Sequence, residues 1–126
     1  MVFGGARGIG GAIVKRLGED GFDVAFTFVS QPDRAAEIVA AVEARGRRAT
    51  ALKADSADSK AIQHAVDFAA DQLGPLDAVV VNAGVLRLGP IDTFPLEDLD
   101  LSLAVNVRGD APHRRTSDPT ACRGAR

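Results

Sequence analysis

Glycines crowd the start of this chain, which begins MVFGGARGIGG. Gly4, Gly8 and Gly10 are spaced so that a tight turn can lead directly into a helix. Glycine lets backbone N–H groups approach a bound anion closely, and the partial positive charge of a helix N-terminus attracts that anion. The spacing therefore predicts a phosphate-binding turn, and a flexible glycine-rich N-terminus without a ligand is the alternative.

Strand-like and helix-like patterns alternate along the chain. Short β-branched or alternating segments predict strands over residues 1–3, 22–29, 48–54 and 77–84. Apolar residues at helical spacing predict helices over residues 9–17, 32–46, 59–73 and 95–105. Such alternation is typical of an α/β fold with a parallel, doubly wound sheet of Rossmann type. Because residues 77–84 are apolar throughout, they predict a central strand covered by helices on both faces.

Three of these helices carry further signals. The apolar positions of the first helix are Ile9, Ala12, Ile13 and Leu17, and its end is predicted at Gly18 and Gly21. Asp58 or Ser59 is suited to cap the start of the third helix. The apolar positions on one side of the last helix are Leu96, Leu99, Leu103 and Val107.

The overall composition excludes several classes of protein. A chain of 126 residues with 46% hydrophobic residues and a net charge of −2 is typical of one globular domain that binds neither nucleic acid nor a membrane. No apolar segment reaches the roughly 20 residues that span a bilayer, and no signal peptide pattern is visible. The single cysteine, Cys122, excludes an internal disulfide and most zinc sites. We therefore expect a cytoplasmic chain without a metal site.

Three ordered motifs resemble the short-chain dehydrogenase/reductase family. Gly4, Gly8, Ile9 and Gly10 match its T-G-x-x-x-G-I-G turn, with Phe3 in place of the usual threonine. Asn82, Ala83 and Gly84 match its N-A-G motif, and Asn106, Val107, Arg108 and Gly109 match the asparagine-centred segment on the next helix. The resemblance covers about residues 2–109, roughly the first half of a typical member. Within the family, it is greatest to 3-oxoacyl-carrier-protein reductases and related carbonyl reductases.

The resemblance implies a nicotinamide dinucleotide as cofactor. The glycine turn with Ile9 would hold the pyrophosphate, and Asp55 would lie near the adenine, where Ser56 could touch its edge. The N-A-G motif would lie near the ribose. Residues 1–109 would then form a partial dinucleotide-binding domain.

The choice between the two nicotinamide cofactors depends on the end of the second strand. It lacks the acidic residue that would bind the ribose hydroxyls of NAD(H). Arg7 stands where NADP-preferring family members place a cation for the 2′-phosphate, and a guanidinium is always charged and can bind bidentately. Ser30 and Gln31 offer neutral hydrogen bonds, and Arg34 either adds to this site or is a solvated helix residue. We therefore expect NADP(H) rather than NAD(H).

The catalytic groups that the resemblance implies are a serine, an asparagine, and a tyrosine followed four residues later by a lysine. Asn106 matches the asparagine, but the chain contains no tyrosine. We therefore expect no hydride transfer by this chain. A small carbonyl or hydroxy substrate, and assembly into a homo-oligomer, would belong to a full-length parent. The alternative is a non-catalytic nucleotide-binding or interaction fragment.

Residues 110–126, DAPHRRTSDPTACRGAR, lack the apolar periodicity of the preceding segments. We predict that they are disordered and interpret them as an out-of-frame tail, and the short first strand fits an altered start. A basic nucleic-acid arm, or a metal or thiol site at His113 and Cys122, is an alternative. An unfinished sheet edge and an uncovered last helix would invite association.

Overall fold

The computed structural model describes residues 1–108, and this part of the chain is an alternation of four strands with four helices. In chain order the elements are β1 (Val2–Phe3), α1 (Gly8–Glu19), β2 (Val24–Phe28), α2 (Pro32–Glu43), β3 (Ala49–Lys53), α3 (Ser59–Leu73), β4 (Val80–Val81) and α4 (Leu96–Asn106). The strands form one parallel sheet in the order β3-β2-β1-β4. The predicted α/β fold with a parallel sheet is confirmed.

The sheet has an apolar core on each face, because successive side chains of a strand point to opposite faces. Val2 and Phe26 belong to one core and Phe3 to the other. The helical residues of the first core are Val14, Ala35, Ile38 and Val42, from α1 and α2. Those of the second core are Ile62, Ala65, Val66 and Ala69, all from α3. Helices therefore cover both faces, as a doubly wound fold requires.

The buried face of α1 differs from the apolar positions that the sequence offers. The buried residues are Gly10, Gly11, Val14 and Gly18, whereas Ile9 is 75% exposed. A Cβ at Gly18 would lie 3.0 Å from the side chain of Val42, so glycine lets α1 and α2 pack closely. The helix ends between the two predicted glycines, since α1 continues one residue past Gly18 to Glu19, and Gly21, at φ +91°, follows its C-cap residue Asp20.

The start of α3 follows the capping prediction. Asp58 is the N-cap, and its Oδ1 accepts hydrogen bonds from the N–H groups of Lys60 (2.9 Å) and Ala61 (3.2 Å). These hydrogen bonds satisfy two of the first-turn N–H groups, which have no intrahelical carbonyl partner. The capping role thus falls to Asp58 rather than to Ser59.

The last strand and helix are much less covered than the first three pairs. Within residues 1–108, the strand in segment 77–84 is limited to Val80–Val81, with one further hydrogen bond from the Met1 amino group to the Ala78 carbonyl (2.7 Å), and β4 is an edge of the described sheet. Val81 is 45% exposed, so the prediction of a central strand buried on both faces is wrong for residues 1–108. In α4 the predicted apolar positions are also open to solvent, and Val105 is its buried residue.

The predictions for Gly109 and for residues 110–126, including His113 and Cys122, lie outside the described residues. Within residues 1–108, none of the helices combines the length and the apolar character that crossing a bilayer needs.

Candidate functional site

The glycine turn joins β1 to α1 at the edge of the sheet where the parallel strands end. Gly4 and Gly8 have φ of +73° and +52°, which glycine adopts far more easily than other residues. A Cβ at Gly10 would overlap the carbonyl oxygen of Gly4, so this position accepts glycine alone. Ile9 is exposed on the same turn. The turn is therefore a surface made mainly of backbone.

The N-terminus of α1 is open to an anion. Arg7 is its N-cap residue, and no side chain caps the first turn or places an acid there. This contrasts with α3, where the Asp58 carboxylate occupies the same position. Because the first N–H groups of a helix lack intrahelical partners, those of α1 are available to a bound phosphate.

Thr27, buried in β2, accepts hydrogen bonds that fix the position of the turn. Its Oγ1 accepts a hydrogen bond from the N–H of Gly4 (3.1 Å), and its carbonyl accepts one from Gly5 (2.8 Å). A Cβ at Gly5 would lie 2.5 Å from Cβ of Phe26, so the turn runs directly over β2. Sequence analysis missed Thr27, whose signal is that it is the one polar residue in the apolar strand VAFTF.

Asn82 connects the end of β4 to the same turn. Its Nδ2 donates to the carbonyl oxygens of Gly4 (3.1 Å) and Phe3 (3.4 Å). Ala83 packs against the turn, since a Cβ at Gly4 would lie 3.1 Å from the Cα of Ala83. The structure thus brings together the glycine turn and the N-A-G motif, which lie almost 80 residues apart.

Asn106, at the end of α4, fixes the segment after the N-A-G motif. Its Oδ1 accepts from the N–H of Val85 (2.9 Å), and its Nδ2 donates to the Val85 carbonyl (2.8 Å). The side chain therefore pairs with one residue's backbone as a neighbouring strand would. It also lies near Gly84, where a Cβ would be 3.4 Å from Asn106 Oδ1. These contacts make Asn106 a positioning residue, and its catalytic role stays a prediction.

A cavity of about 460 Å³ opens beside the turn, between α1 and α2. Its charged lining residues are Arg7, Lys15, Arg34 and Glu37. Within residues 1–108, none of these three cations forms an ion pair, whereas the paired cations are Arg16, Arg45, Arg47, Arg48 and Arg87. The structure therefore places Arg34 beside Arg7 in one cavity, and it adds Lys15, which sequence analysis had not assigned to the site.

The remaining predicted contacts follow β2 and β3 at the same edge of the sheet. Ser30 is exposed and precedes Gln31, which has a left-handed φ of +64°. The Asp55 carboxylate accepts a hydrogen bond from the N–H of Ala57 (2.9 Å), and Ser56 is buried. Their contacts with a cofactor stay predictions. In the described part of the chain, no group of three or more His, Cys, Asp or Glu side chains could hold a metal ion.

At the N-terminal ends of the strands, away from the glycine turn, Asp23 immediately precedes β2 and pairs with two arginines. Arg47 and Arg48 approach its carboxylate to 3.0 Å and 2.8 Å. Hydrogen bonds from the backbone and the side chain of Arg48 lower the pKa of Asp23 from its ordinary value. This cluster braces the sheet away from the cavity.

A family model described as short chain dehydrogenase matches residues 1–111. The chain belongs to the short-chain dehydrogenase/reductase family. Members of this family bind a nicotinamide dinucleotide. The sequence resembled it in the glycine turn, in the N-A-G motif that meets this turn, and in the segment of Asn106, which pairs with the backbone after the N-A-G motif. The match covers most of the chain.

Relatives of known activity and structure match this same part. The L-2,3-butanediol dehydrogenase of Corynebacterium glutamicum is 39% identical over 85% of the chain, and the 3-oxoacyl-[acyl-carrier-protein] reductase of Staphylococcus aureus is 29% identical over 86%. A short chain dehydrogenase from Burkholderia cenocepacia, solved in complex with NADP, is 51% identical over 86% of the chain with a TM-score of 0.84. The chain spans 42%, 44% and 44% of these proteins respectively.

Proposed function

We propose that this chain is the cofactor-binding part of an NADP(H)-dependent oxidoreductase that reduces carbonyl compounds of the 3-oxoacyl type. The observation that carries the proposal is the cavity beside a turn that only glycine can form, lined by three cations that make no ion pair within residues 1–108. Backbone N–H groups at a helix N-terminus suit a pyrophosphate, and the cations suit a further phosphate. The residues present therefore fit NADP(H).

Each motif has a separate role in this proposal. The turn residues Gly4, Gly8, Ile9 and Gly10 hold the pyrophosphate, and Arg7 binds the 2′-phosphate with Ser30 nearby. Asp55 and Ser56 lie at the adenine. Asn82, Ala83 and Gly84 lie at the ribose. When bound, the cofactor would supply or accept hydride, while these residues bind and orient it.

Two observations support NADP(H) over NAD(H). No acidic side chain follows β2 directly, where NAD(H) would require one for its ribose hydroxyls. Arg7 and Arg34 line the cavity, and neither pairs with a carboxylate of the described residues 1–108, which leaves both guanidinium groups available to a phosphate. The Burkholderia cenocepacia protein, solved with NADP, is consistent with this preference.

We also propose that this chain by itself transfers no hydride. Its sequence holds no tyrosine, so the proton donor that the family resemblance implies is absent from it. The substrate, a small carbonyl or hydroxy compound, would bind to a longer parent protein. Cofactor-dependent turnover of a carbonyl substrate above a control without protein would refute this part of the proposal.

Calorimetric titration of the full chain with NADPH and NADH tests the cofactor assignment. We expect NADPH to bind more tightly than NADH. Arg7→Gln should weaken NADPH binding about tenfold and leave the affinity for NADH unchanged. Arg16→Gln is the matched control, because Arg16 lies on the same helix and pairs with Asp20 outside the cavity. Absence of NADPH binding, or equal affinity for both cofactors, would overturn the assignment.

A second candidate function is that of an interaction fragment, favoured by the apolar side chains around β4 and α4. The most exposed of these are Leu86, Leu88, Ile91 and Leu96, at 74% to 96%. An apolar region this open is typical of a surface that contacts another protein or associates. Light scattering over a concentration series tests it, and a monomer at all concentrations would count against self-association.

A further inference from the structure

Lys15 lies in the cavity but belongs to none of the three motifs. It follows Arg7 by eight residues, which places it about 12 Å further along α1. Helical side chains lean towards the N-terminus of their helix, so the lysine chain runs back along the cavity that it lines. Lys15 therefore lines the part of the cavity that lies farther from the turn.

The wall between Arg7 and Lys15 carries almost no side chain. Gly11 and Ala12 line the cavity at this point. A Cβ at Gly11 would already lie 3.0 Å from Cδ1 of Ile38, so the close packing of α1 on α2 keeps this position small. On α1, the cavity wall between the two cations is therefore formed by a glycine and an alanine.

The charges of the cavity are unbalanced. Glu37 lines it together with the three cations, yet none of them approaches this carboxylate as an ion pair within residues 1–108. Arg16, the neighbour of Lys15, does pair, at 3.0 Å from Asp20. The cavity thus keeps a surplus of positive charge that an anionic ligand would neutralise.

We propose that Lys15 is a specificity-determining residue for the 2′-phosphate of NADP(H), acting together with Arg7 and Arg34. This inference rests on the proposed function. Arg7 can bind a phosphate bidentately, whereas the lysine ammonium is a point charge on a flexible chain and attracts the phosphate across the open cavity. Lys15 then favours the cofactor that carries this extra phosphate and adds nothing to binding of the cofactor that lacks it.

The test measures binding to the full chain by calorimetry, with two probes that differ only in the 2′-phosphate. They are adenosine 2′,5′-bisphosphate and adenosine 5′-monophosphate. We expect Lys15→Gln to weaken binding of the bisphosphate about threefold to tenfold and to leave the affinity for the monophosphate unchanged. The loss should shrink as salt concentration rises, because the attraction is screened.

Lys60→Gln is the matched control. It removes the same charge from α3, which packs on the other face of the sheet, and should change the affinity of neither probe. Circular dichroism and thermal unfolding would check that both variants are folded.

Two results would overturn the role of Lys15 while leaving the proposed function intact. Lys15→Gln could bind the bisphosphate as tightly as the unchanged chain, or it could weaken both probes equally, which would place its charge at the 5′-phosphate. If the unchanged chain itself does not prefer the bisphosphate, both the proposed function and this inference fail.

Discussion

The two ends of the described chain differ in how their apolar residues are used. In the part up to α3, the strand side chains of Val24 and Phe26 are at most 1% exposed, and glycines let α1 pack closely on the turn after β1 and on α2. In the part from β4 to α4, Leu88 and Ile91 are 85% and 96% exposed. Both parts have apolar sequences, so hydrophobicity alone does not distinguish them.

The difference lies in what each apolar residue has to pack against. A side chain is stabilised by burial only when another element covers it. In residues 1–108, α1, α2 and α3 cover the first part, while no strand pairs with the outer edge of β4. The first part is therefore the stable core, and the second is joined to it by the pairing of β4 with β1, by the packing of Val80 and Ala83 and by the side-chain hydrogen bonds of Asn82.

Replacing one isoleucine in each part gives the largest expected contrast. Ile62 is fully buried, and Ile62→Ala should lower the free energy of unfolding by about 2–5 kcal/mol, since it removes buried methyl groups and leaves a cavity. Ile91→Ala makes the same change at an exposed residue and should stay within about 0.5 kcal/mol. Urea denaturation of both variants measures the difference. Equal losses would show that Ile91 is buried in solution by self-association or by refolding of this part.

A glycine in each part provides the second contrast. Gly10→Ala should destabilise the protein by about 1–3 kcal/mol, because its Cβ meets the Gly4 carbonyl and the Asn82 side chain. Gly84→Ala meets only an ordinary contact with Asn106, so we expect no loss and a gain of up to about 1 kcal/mol from a less flexible unfolded chain. Thermal unfolding compares the two. A tolerated alanine at Gly10 would mean that the turn has another conformation in solution.

The sequence predicts the first part far better than the second, for physical reasons. The residue types in the glycine turn and in strands, such as Val24, are required by local backbone geometry and by packing on nearby elements. Their pattern in the sequence therefore predicts the turn and the strands. The strand predicted over 77–84 shrank to two residues because a strand's length depends on partners elsewhere in the sheet. Lys15 escaped prediction because a single surface lysine has no pattern, and only the close approach of α1 to α2 places it in the cavity.

The contact between Asn106 and Val85 links α4 to the segment after β4 and gives a smaller effect. Asn106→Ala removes two hydrogen bonds to the Val85 backbone and should cost about 1 kcal/mol. It should also speed hydrogen exchange of the Val85 amide. Ser102→Ala is the control, because the hydrogen bond that its hydroxyl makes within residues 1–108 goes to the Asp98 carbonyl in the same helix. If exchange at Val85 does not change, another contact holds this segment.

The smallest expected effect is on the pH dependence of stability. It tests whether ion pairs, in addition to apolar packing, stabilise the first part. Arg48 holds the pKa of Asp23 below its ordinary value of 3.8, so the folded state favours the ionised carboxylate. This stabilisation is complete above about pH 5 and is lost as the pH falls below 3.8 through the lowered folded pKa. Asp23→Asn should therefore be less stable than the unchanged chain at neutral pH and equal to it in strong acid.

Asp98→Asn is the corresponding change in the second part, where Arg87 lies 3.4 Å from Asp98 and both side chains are more exposed than Asp23. Exposed ion pairs contribute little, so we expect a smaller change at neutral pH than for Asp23→Asn. Urea denaturation from pH 2 to pH 7 measures both variants. If the two curves coincide, the arginines around Asp23 contribute no more than an ordinary surface pair, and close packing alone separates the two parts of the molecule.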